Sequence, residues 1–372
     1  MQFSPLSFVK DRITVGQPLP FNVRDADQTL MLARGQVIAT LDQLGALFRR
    51  GALVDLAELQ SPADKIKRAA PGELPGLWSD SLNQLGDSLR ASSQERFVDA
   101  LSEAAPAVMA LVERDKDLAI FQVLRQSGGK LVEYGVNHSM HTAITSFLIA
   151  QRLGWTSAET QRAFKAALTM NISMLELQGT LACQDTPPTP EQREAILAHP
   201  EFSVRMLEMS GVTDQDWLAA VAQHHEASDG SGYPLGLREL NPIAGLVRKA
   251  DIYTARLSPR LGRDAMAADK AGRSMFMQEP GHPVTAALVK EFGVYPPGAF
   301  VRLASGESGM VVRRGLTVVA PLVAVFTSAA GKTLAEPLRR DTAERHYAIV
   351  GMLGAREQPT HLTPDKMMAL LL

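Results

Sequence analysis

Cysteine and long apolar runs are what this chain has least of. It contains one cysteine, Cys183, in 372 residues. A single cysteine excludes an internal disulfide and fits a reducing cytoplasm. The most apolar late run, Leu316–Phe326, is too short to span a bilayer and contains Pro321. The N-terminal segment MQFSPLSFVKDR has no apolar core of the kind that a secretion signal needs, so we predict a cytoplasmic protein.

The chain also has no large excess of charge of either sign, no low-complexity tract and no repeat of solenoid period. Its 38 basic and 40 acidic residues give a net charge of −2, which offers no broad electrostatic reason to bind DNA or a membrane surface. Hydrophobic residues make up 45% and charged residues 21%, as in an ordinary soluble protein. Because the chain is too long for one simple core, we predict two or three domains.

The first 60 residues alternate short apolar runs with turn residues, which indicates a small α+β module. We predict strands at Leu30–Leu32 and Val37–Ala39 and a short helix at Leu41–Arg49. Residues 61–92 are polar and interrupted by proline and glycine, a composition typical of a linker. The interrupting residues are Pro62, Pro71, Gly72, Pro75 and Gly76.

Residues 93–293 show the spacing of amphipathic helices. Two capping boxes support this prediction: Thr156 precedes Glu159 by three residues, and Thr189 likewise precedes Gln192. The pattern changes to strands in residues 294–372. The predicted strands carry Val301/Leu303, Val311/Val312, Val318/Val319 and Val323/Val325. The sequence therefore predicts a mainly α protein, with a helical region between a small α+β module and a small β-rich module.

The most informative stretch is HHEASDGSGYP at positions 224–234. Its two adjacent imidazoles join two further histidines of the helical region, and such a group suggests a metal site. The four are His138, His199, His224 and His225. The glycines allow a tight turn, and the tyrosine of Gly232–Tyr233–Pro234 is suited to stacking on a nucleotide base. The alternative is an ordinary rigid turn whose tyrosine packs on the protein.

This stretch resembles, almost letter for letter, the signature of the HD-GYP proteins, a family of metal-dependent hydrolases that open cyclic di-GMP. The similarity covers residues from about 130 to 290 and keeps the family's order of ligands on an HD-type helical bundle. It implies cyclic di-GMP as a ligand near Gly232, Tyr233 and Pro234. It also implies a metal site at five of the family's seven ligand positions, namely His138, His199, His224, His225 and Asp251.

The family's adjacent His–Asp pair is replaced in this chain by Met170 and Asn171, and its following lysine by Met174. Asn171 is neutral and offers one carbonyl oxygen, so it is a poor bridge between two cations. The thioether of Met170 is a poor ligand for iron or manganese, and Met174 has no ammonium group to contact a phosphate. The catalytic residues are therefore unknown, and a two-metal centre that activates water is not expected.

A partial metal site is one interpretation of the remaining histidines. His199, His224 and His225 supply three imidazoles, enough for a single divalent ion such as zinc, iron or manganese. His138 and Asp251 are expected on the opposite side of the pocket. The alternative is that no ion binds and that hydrogen bonds satisfy the histidines in a polar pocket.

Two arginines follow Asp251 where the family has a run similar to RPYR. Arg260 and Arg263 occupy these positions in the run RLGR, without the aromatic residue between them. The resemblance implies that their guanidinium groups contact phosphate. The alternative is that they lie on a solvated helix end. The family's second aspartate, three residues after Asp251, is Thr254 in this chain.

Both flanks also resemble segments attached to bacterial HD-GYP proteins. We interpret residues 1–60 as an accessory module, 61–92 as a linker, 93–293 as an HD-GYP-like domain and 294–372 as a β-rich module.

The leading hypothesis is a divergent member of bacterial cyclic di-GMP signalling with impaired or absent phosphodiesterase activity. It would act as a nucleotide sensor, or dock other signalling proteins such as diguanylate cyclases through the Gly–Tyr–Pro loop. The alternatives are an active phosphodiesterase with a rearranged metal site and a protein–protein adaptor that binds no nucleotide. The oligomeric state is not predicted.

Overall fold

The computed structural model of the chain describes residues 2–59, 61–94, 96–125, 133–354, 357–358 and 363–372. The chain divides into two compact units, Met1–Ala69 and Ala70–Leu372. The division falls inside the segment that the sequence predicts to be a linker. Among the described residues, no helix is both long and apolar enough to cross a membrane.

The first unit is a small α+β module, as the sequence predicts. Its strands are β1 (Phe3–Pro5), β2 (Val23–Arg24), β3 (Leu30–Leu32) and β4 (Leu53–Asp55), and its helices are α1 (Leu41–Arg49), α2 (Leu56–Leu59) and α3 (Pro62–Arg68). The strands form one antiparallel sheet in the order β1-β4-β2-β3. Leu6, Phe21 and Val54 are buried in its core.

The predicted strand Val37–Ala39 is wrong. Val37 forms only an isolated bridge with Pro18. Since proline has no backbone N–H, it cannot continue a ladder of hydrogen bonds at that point.

The predicted linker at 61–92 is corrected to a largely helical segment. Helix α4 (Leu74–Arg90) occupies most of it, and its side chains Trp78, Leu85 and Leu89 are 0% exposed. These residues recur at helical spacing and pack α4 against the following helix. Prolines that suggest a linker lie instead in the first turn of helices, as Pro62 and Pro75 do, where a missing N–H costs nothing.

The second unit is mainly helical. After α4 it contains α5 (Phe97–Arg114), α6 (Lys116–Leu124), α7 (Tyr134–Arg152), α8 (Ser157–Thr169), α9 (Leu175–Ala182), α10 (Pro190–Met209), α11 (Gln215–Gln223), α12 (Pro242–Leu257), α13 (Ala268–Gln278), α14 (Pro283–Phe292) and α15 (Pro364–Leu371). Helix α7 is buried on nearly all sides, because α6, α8, α9, α12 and α14 all pack against it. Both predicted capping boxes are present, at the starts of α8 and α10.

A five-stranded antiparallel sheet near the C-terminus completes this unit. Its strands are β5 (Phe300–Leu303), β6 (Ser308–Arg313), β7 (Leu322–Thr327), β8 (Thr333–Asp341) and β9 (Ile349–Met352), in the order β8-β7-β6-β5-β9. The predicted strand at Val318/Val319 is wrong, because these residues lie in the connection between β6 and β7 and are 45% and 55% exposed. Two backbone segments approach closely in this connection, because a Cβ on Gly315 would lie 1.8 Å from the Ala320 carbonyl oxygen.

Two arginines at the end of β6 join this sheet to the helical bundle. Arg313 donates to both carboxylate oxygens of Asp115, at 2.8 and 2.9 Å. Arg314 pairs with Asp117 and, at 2.8 Å, with Glu291, whose side chain is 2% exposed. A carboxylate so deeply buried requires a cationic partner.

We predict that Arg314→Ala lowers the free energy of unfolding by about 2–3 kcal/mol. Removing one partner of a buried pair costs roughly 3–5 kcal/mol, and the 27% exposure of the Arg314 side chain reduces that cost. The control is Arg302→Ala, which breaks an exposed pair with Glu357. Urea denaturation of both variants is the measurement. Equal losses in the two variants would contradict a stabilising role of the buried cluster.

Candidate functional site

Three histidines from consecutive parts of the chain converge in the second unit. His199 lies in α10, His224 is the residue that ends α11, and His225 begins the loop that follows. Each offers one ring nitrogen, and the three nitrogens lie within 4.8 Å of one another. His199 is 1% exposed and His224 is 0% exposed. Three imidazoles at this spacing are a suitable ligand set for one divalent ion.

The orientation of His199 and His224 is fixed by backbone carbonyl groups. His199 Nδ1 lies 2.6 Å from the Ile196 oxygen, and His224 Nδ1 lies 2.7 Å from the Val221 oxygen. A carbonyl only accepts hydrogen bonds, so each Nδ1 carries the hydrogen and donates. Burial lowers the pKa of His199 to about 4 and holds the pKa of His224 well below its usual value. Both rings are therefore neutral near pH 7, and each Nε2 has a free lone pair.

These two Nε2 atoms lie 3.1 Å apart. With a hydrogen on each Nδ1, neither Nε2 can donate to the other, so the two lone pairs repel. A cation between the rings would turn this repulsion into ligation. A carbonyl that accepts from the far nitrogen is also the usual support of a metal-ligating histidine. The donor set therefore fits a single divalent ion.

His138 and Asp251 form a second pair, from the facing helices α7 and α12. His138 Nε2 lies 2.7 Å from Asp251 Oδ1. Burial alone would raise the pKa of Asp251, but the hydrogen bond and charge of His138 bring this pKa below its usual value. The charge of Asp251 in turn acts to raise the pKa values of His199 and His224, against the larger effect of their burial. All five predicted metal positions therefore lie around one pocket, which we call the histidine pocket.

Comparison with known proteins finds an HD domain around these residues. The model described as HD domain matches residues 124–279, which include the whole histidine pocket. A cyclic di-GMP phosphodiesterase of Pseudomonas aeruginosa is 30% identical over 206 residues, 54% of this chain and 50% of that protein. These matches support an HD-GYP family member. A 3′3′-cGAMP-specific phosphodiesterase of Vibrio cholerae is 28% identical over 240 residues, 59% of this chain and 51% of that protein.

The chain spans about half the length of these curated relatives. A solved HDG"Y"P protein from Bdellovibrio bacteriovorus has a similar fold, with a TM-score of 0.50 and 17% identity. The match covers 77% of this chain and 97% of the solved one. The predicted fold class, a mainly α HD-type bundle flanked by small β-containing modules, is confirmed.

The family's Gly–Tyr–Pro motif lies in the connection between α11 and α12, residues 224–241, which we call the GYP loop. The ring of Tyr233 stacks on that of His225, with centroids 4.5 Å apart and planes 19° from parallel. Burial, and then the charge of His199, lower the pKa of His225 to about 3. One face of the Tyr233 ring, which the sequence suggests for stacking on a base, therefore contacts His225, a predicted metal ligand.

Glu226 joins two parts of the GYP loop through hydrogen bonds. The residue is 1% exposed, and its carboxylate accepts hydrogen bonds from the backbone N–H groups of Leu235, at 2.7 Å, and Leu237, at 2.9 Å. Gly232 packs directly on the same turn, so a Cβ there would lie 2.4 Å from the Glu226 Cα atom. The loop is thus a rigid support for Tyr233 and, through it, for His225.

We predict that Gly232→Ala lowers the free energy of unfolding by about 2–3 kcal/mol, because the new methyl group has no room and must push the loop away. The matched control is Gly245→Ala in α12, where a Cβ meets nothing within 4 Å and alanine is expected to stabilise the helix slightly. Thermal or urea denaturation distinguishes the two. A Gly232→Ala variant as stable as Gly245→Ala would show that the GYP loop moves freely.

The two positions where the family has its His–Asp pair lie at the end of α8, two and three residues before Ser173. Met170 ends α8 and is 0% exposed, and Asn171 is 2% exposed. The next turn is fixed to α10, because Ser173 Oγ donates to the His199 carbonyl oxygen at 3.0 Å. Within the described residues, Asn171 Oδ1 has no hydrogen-bond partner. Neither residue contributes a carboxylate or an imidazole to the histidine pocket.

The two predicted phosphate-binding arginines have different environments. Arg260 donates to the hydroxyl of Tyr134 at 2.6 Å, and its guanidinium lies 4.6 Å from the centre of the Tyr134 ring. That ring stacks on His138, with centroids 5.5 Å apart, so Arg260 is placed beside the pocket. Arg263 Nη2 instead donates to the Ala255 carbonyl oxygen at 2.7 Å, near the end of α12.

Tyr134 is a residue that the sequence reasoning missed. It precedes His138 by four residues on the same helix, so the two side chains share one face. That spacing, together with the aromatic side chain, was the available signal. Its partner Arg260 is 126 residues away in sequence, which is why the contact itself was not predictable.

Proposed function

We propose that this chain is a divergent HD-GYP protein that binds a cyclic dinucleotide and does not catalyse the two-metal phosphodiesterase reaction, acting as a nucleotide sensor in bacterial cyclic di-GMP signalling. The observation that carries this proposal is that Met170 and Asn171, at the positions where an imidazole and a carboxylate would be needed, are buried and supply neither group. The relatives named as cyclic dinucleotide phosphodiesterases support the class of ligand.

The proposed metal content is one divalent ion, held by His199, His224 and His225. The facing Nε2 atoms of His199 and His224, each with a carbonyl acceptor on its far nitrogen, support this ligand set. A second ion lacks support, because the repulsion between two nearby cations requires a bridging negative charge and Asn171 is neutral. A single bound ion would supply charge for holding a phosphate oxygen.

The remaining residues of the pocket have proposed roles in binding the nucleotide. Arg260 would donate to a phosphate oxygen, since its position beside His138 brings a guanidinium to the edge of the pocket. The ionised Asp251 fixes the direction of the His138 ring. The rigid GYP loop would present Tyr233 at the same edge. Arg263 is engaged at the end of α12 and would contribute to the positive charge there.

Calorimetry with cyclic di-GMP, and with 3′3′-cGAMP as the second nucleotide, tests this proposal. We expect binding at micromolar levels and no hydrolysis in the presence of manganese or iron. Hydrolysis that is abolished by His225→Ala would instead establish an active phosphodiesterase with a rearranged metal site. No binding of either nucleotide would favour the adaptor, in which the GYP loop contacts other signalling proteins such as diguanylate cyclases.

A further inference from the structure

A cleft separate from the histidine pocket lies along the GYP loop. Its volume is about 1050 Å³, and its walls are formed by the GYP loop, the first turns of α12, the residues after α7 and the connection between α13 and α14. None of the five residues of the histidine pocket lines it, and neither does Tyr233. A volume of this order accommodates a small organic ligand.

Two arginines of this cleft make no hydrogen bond or ion pair within the described part of the chain. Arg238, on the GYP loop, is exposed, and Arg248, on α12, is half-buried. Hydrogen bonds and ion pairs are made by their neighbours but by neither guanidinium. A guanidinium carries five N–H donors, so both arginines can donate to an anion that replaces water in the cleft.

The carboxylates that line the cleft are each engaged elsewhere. Glu226 accepts the two backbone N–H groups that close the GYP loop. Asp229 accepts from the backbone and the hydroxyl of Ser231, at 2.9 and 2.6 Å. Glu279 pairs with Lys249 at 2.5 Å. The charge of Arg248 acts to lower the pKa values of Asp229 and Glu279, but within the described residues none of these carboxylates accepts a hydrogen bond from either arginine, so the N–H donors of both arginines remain available for an anion.

Part of the cleft lining, which forms one wall, is apolar and aromatic. Leu153, Trp155 and Val284 line it, and the indole of Trp155 is half-buried. Helix α14 begins at this wall with Pro283, and no side chain caps its first turn. The free N–H groups of such a turn add to the positive potential of the cleft.

We propose that this cleft is a second ligand site, which takes a phosphate monoester carrying a planar ring, as in a nucleoside monophosphate. Arg238 and Arg248 bind the phosphate through charge-assisted hydrogen bonds, and the ring packs against Trp155. The site is independent of the histidine pocket and of any metal there, so it does not rest on the proposed function.

Fluorescence of Trp155, with GMP as the probe, tests the site. The other two tryptophans are buried, Trp78 at 0% and Trp217 at 5% exposure, so a change in emission reports on Trp155. We expect a saturable change with GMP, and a much weaker response to guanosine, which lacks the phosphate, and to ribose 5-phosphate, which lacks the planar purine base. The Trp155→Phe variant removes the signal, and calorimetry then measures its GMP affinity.

A matched pair of arginine variants assigns the binding to the cleft. Arg248→Gln and Arg238→Gln are each expected to weaken GMP binding by about tenfold or more, since each removes charge-assisted hydrogen bonds. Arg205→Gln, at an exposed arginine of α10 that pairs with Glu201 and lines neither the cleft nor the histidine pocket, is expected to leave the GMP affinity unchanged. Melting temperatures confirm that all three variants are folded.

The site is overturned if GMP gives no saturable signal up to about 10 mM. It is equally overturned if Arg260→Gln abolishes GMP binding while Arg248→Gln retains it, because the nucleotide would then occupy the histidine pocket. Equal binding of guanosine and GMP would show that the arginines bind no phosphate.

Discussion

The double substitution Met170→His with Asn171→Asp is expected to raise the metal content of the chain from about one ion to about two, and to increase cyclic di-GMP hydrolysis by roughly a hundredfold or more. The two positions lie two and three residues before Ser173, which is bonded to the His199 carbonyl group, and we expect new side chains there to reach the existing ligands. The new carboxylate offers two oxygens and the negative charge that Asn171 lacks.

Elemental analysis of the desalted protein and chromatography of the nucleotide products measure the two effects. The control is Met170→Leu with Asn171→Leu, which alters the same buried positions without adding a ligand and is expected to gain neither metal nor activity. Because Met170 is completely buried, the melting temperature of the double substitution must be recorded with its activity. A native chain that already holds two ions and hydrolyses the nucleotide as fast as the variant would refute the expectation.

The sequence predicts well those parts of the fold, such as helix starts, that depend only on residues close together in the chain. The two capping boxes begin α8 and α10 where predicted, because a cap depends only on residues three positions apart. The linker prediction failed because proline and glycine mark both loops and helix starts. Only the burial of Trp78, Leu85 and Leu89 against another helix distinguishes the two cases, and that contact is not a local property.

The sequence predicts which residues form the histidine pocket, but not the distances between them or the orientations of their rings. The order of ligands identified His138, His199, His224, His225 and Asp251, which the structure brings together. Nothing in the sequence indicated that Nε2 of His199 would face Nε2 of His224 at 3.1 Å. That arrangement depends on the backbone carbonyls of Ile196 and Val221, which orient the two rings. The pairing of His138 with Asp251 likewise depends on two helices that are 113 residues apart in sequence.

The facing imidazoles lead to the second expectation, which concerns metal binding itself. His224→Ala is expected to reduce the affinity for a divalent ion by roughly a hundredfold or more, because it removes one of three ligands and the partner of the His199 lone pair. Asp251→Asn is expected to leave the metal content unchanged, since a single ion held by His199, His224 and His225 does not need it. Titration of both variants with zinc and with manganese after chelation is the measurement.

The two variants together show which residues of the histidine pocket bind the ion. Asp251 is hydrogen-bonded to His138, and an asparagine there can still accept that hydrogen bond, so the fold around the pocket is preserved. If Asp251→Asn loses metal as completely as His224→Ala, the ion is bound across both halves of the pocket and the two-metal arrangement regains support. If only His224→Ala loses it, the three imidazoles form the whole site, and the pair His138 and Asp251 remains available to contact a bound nucleotide.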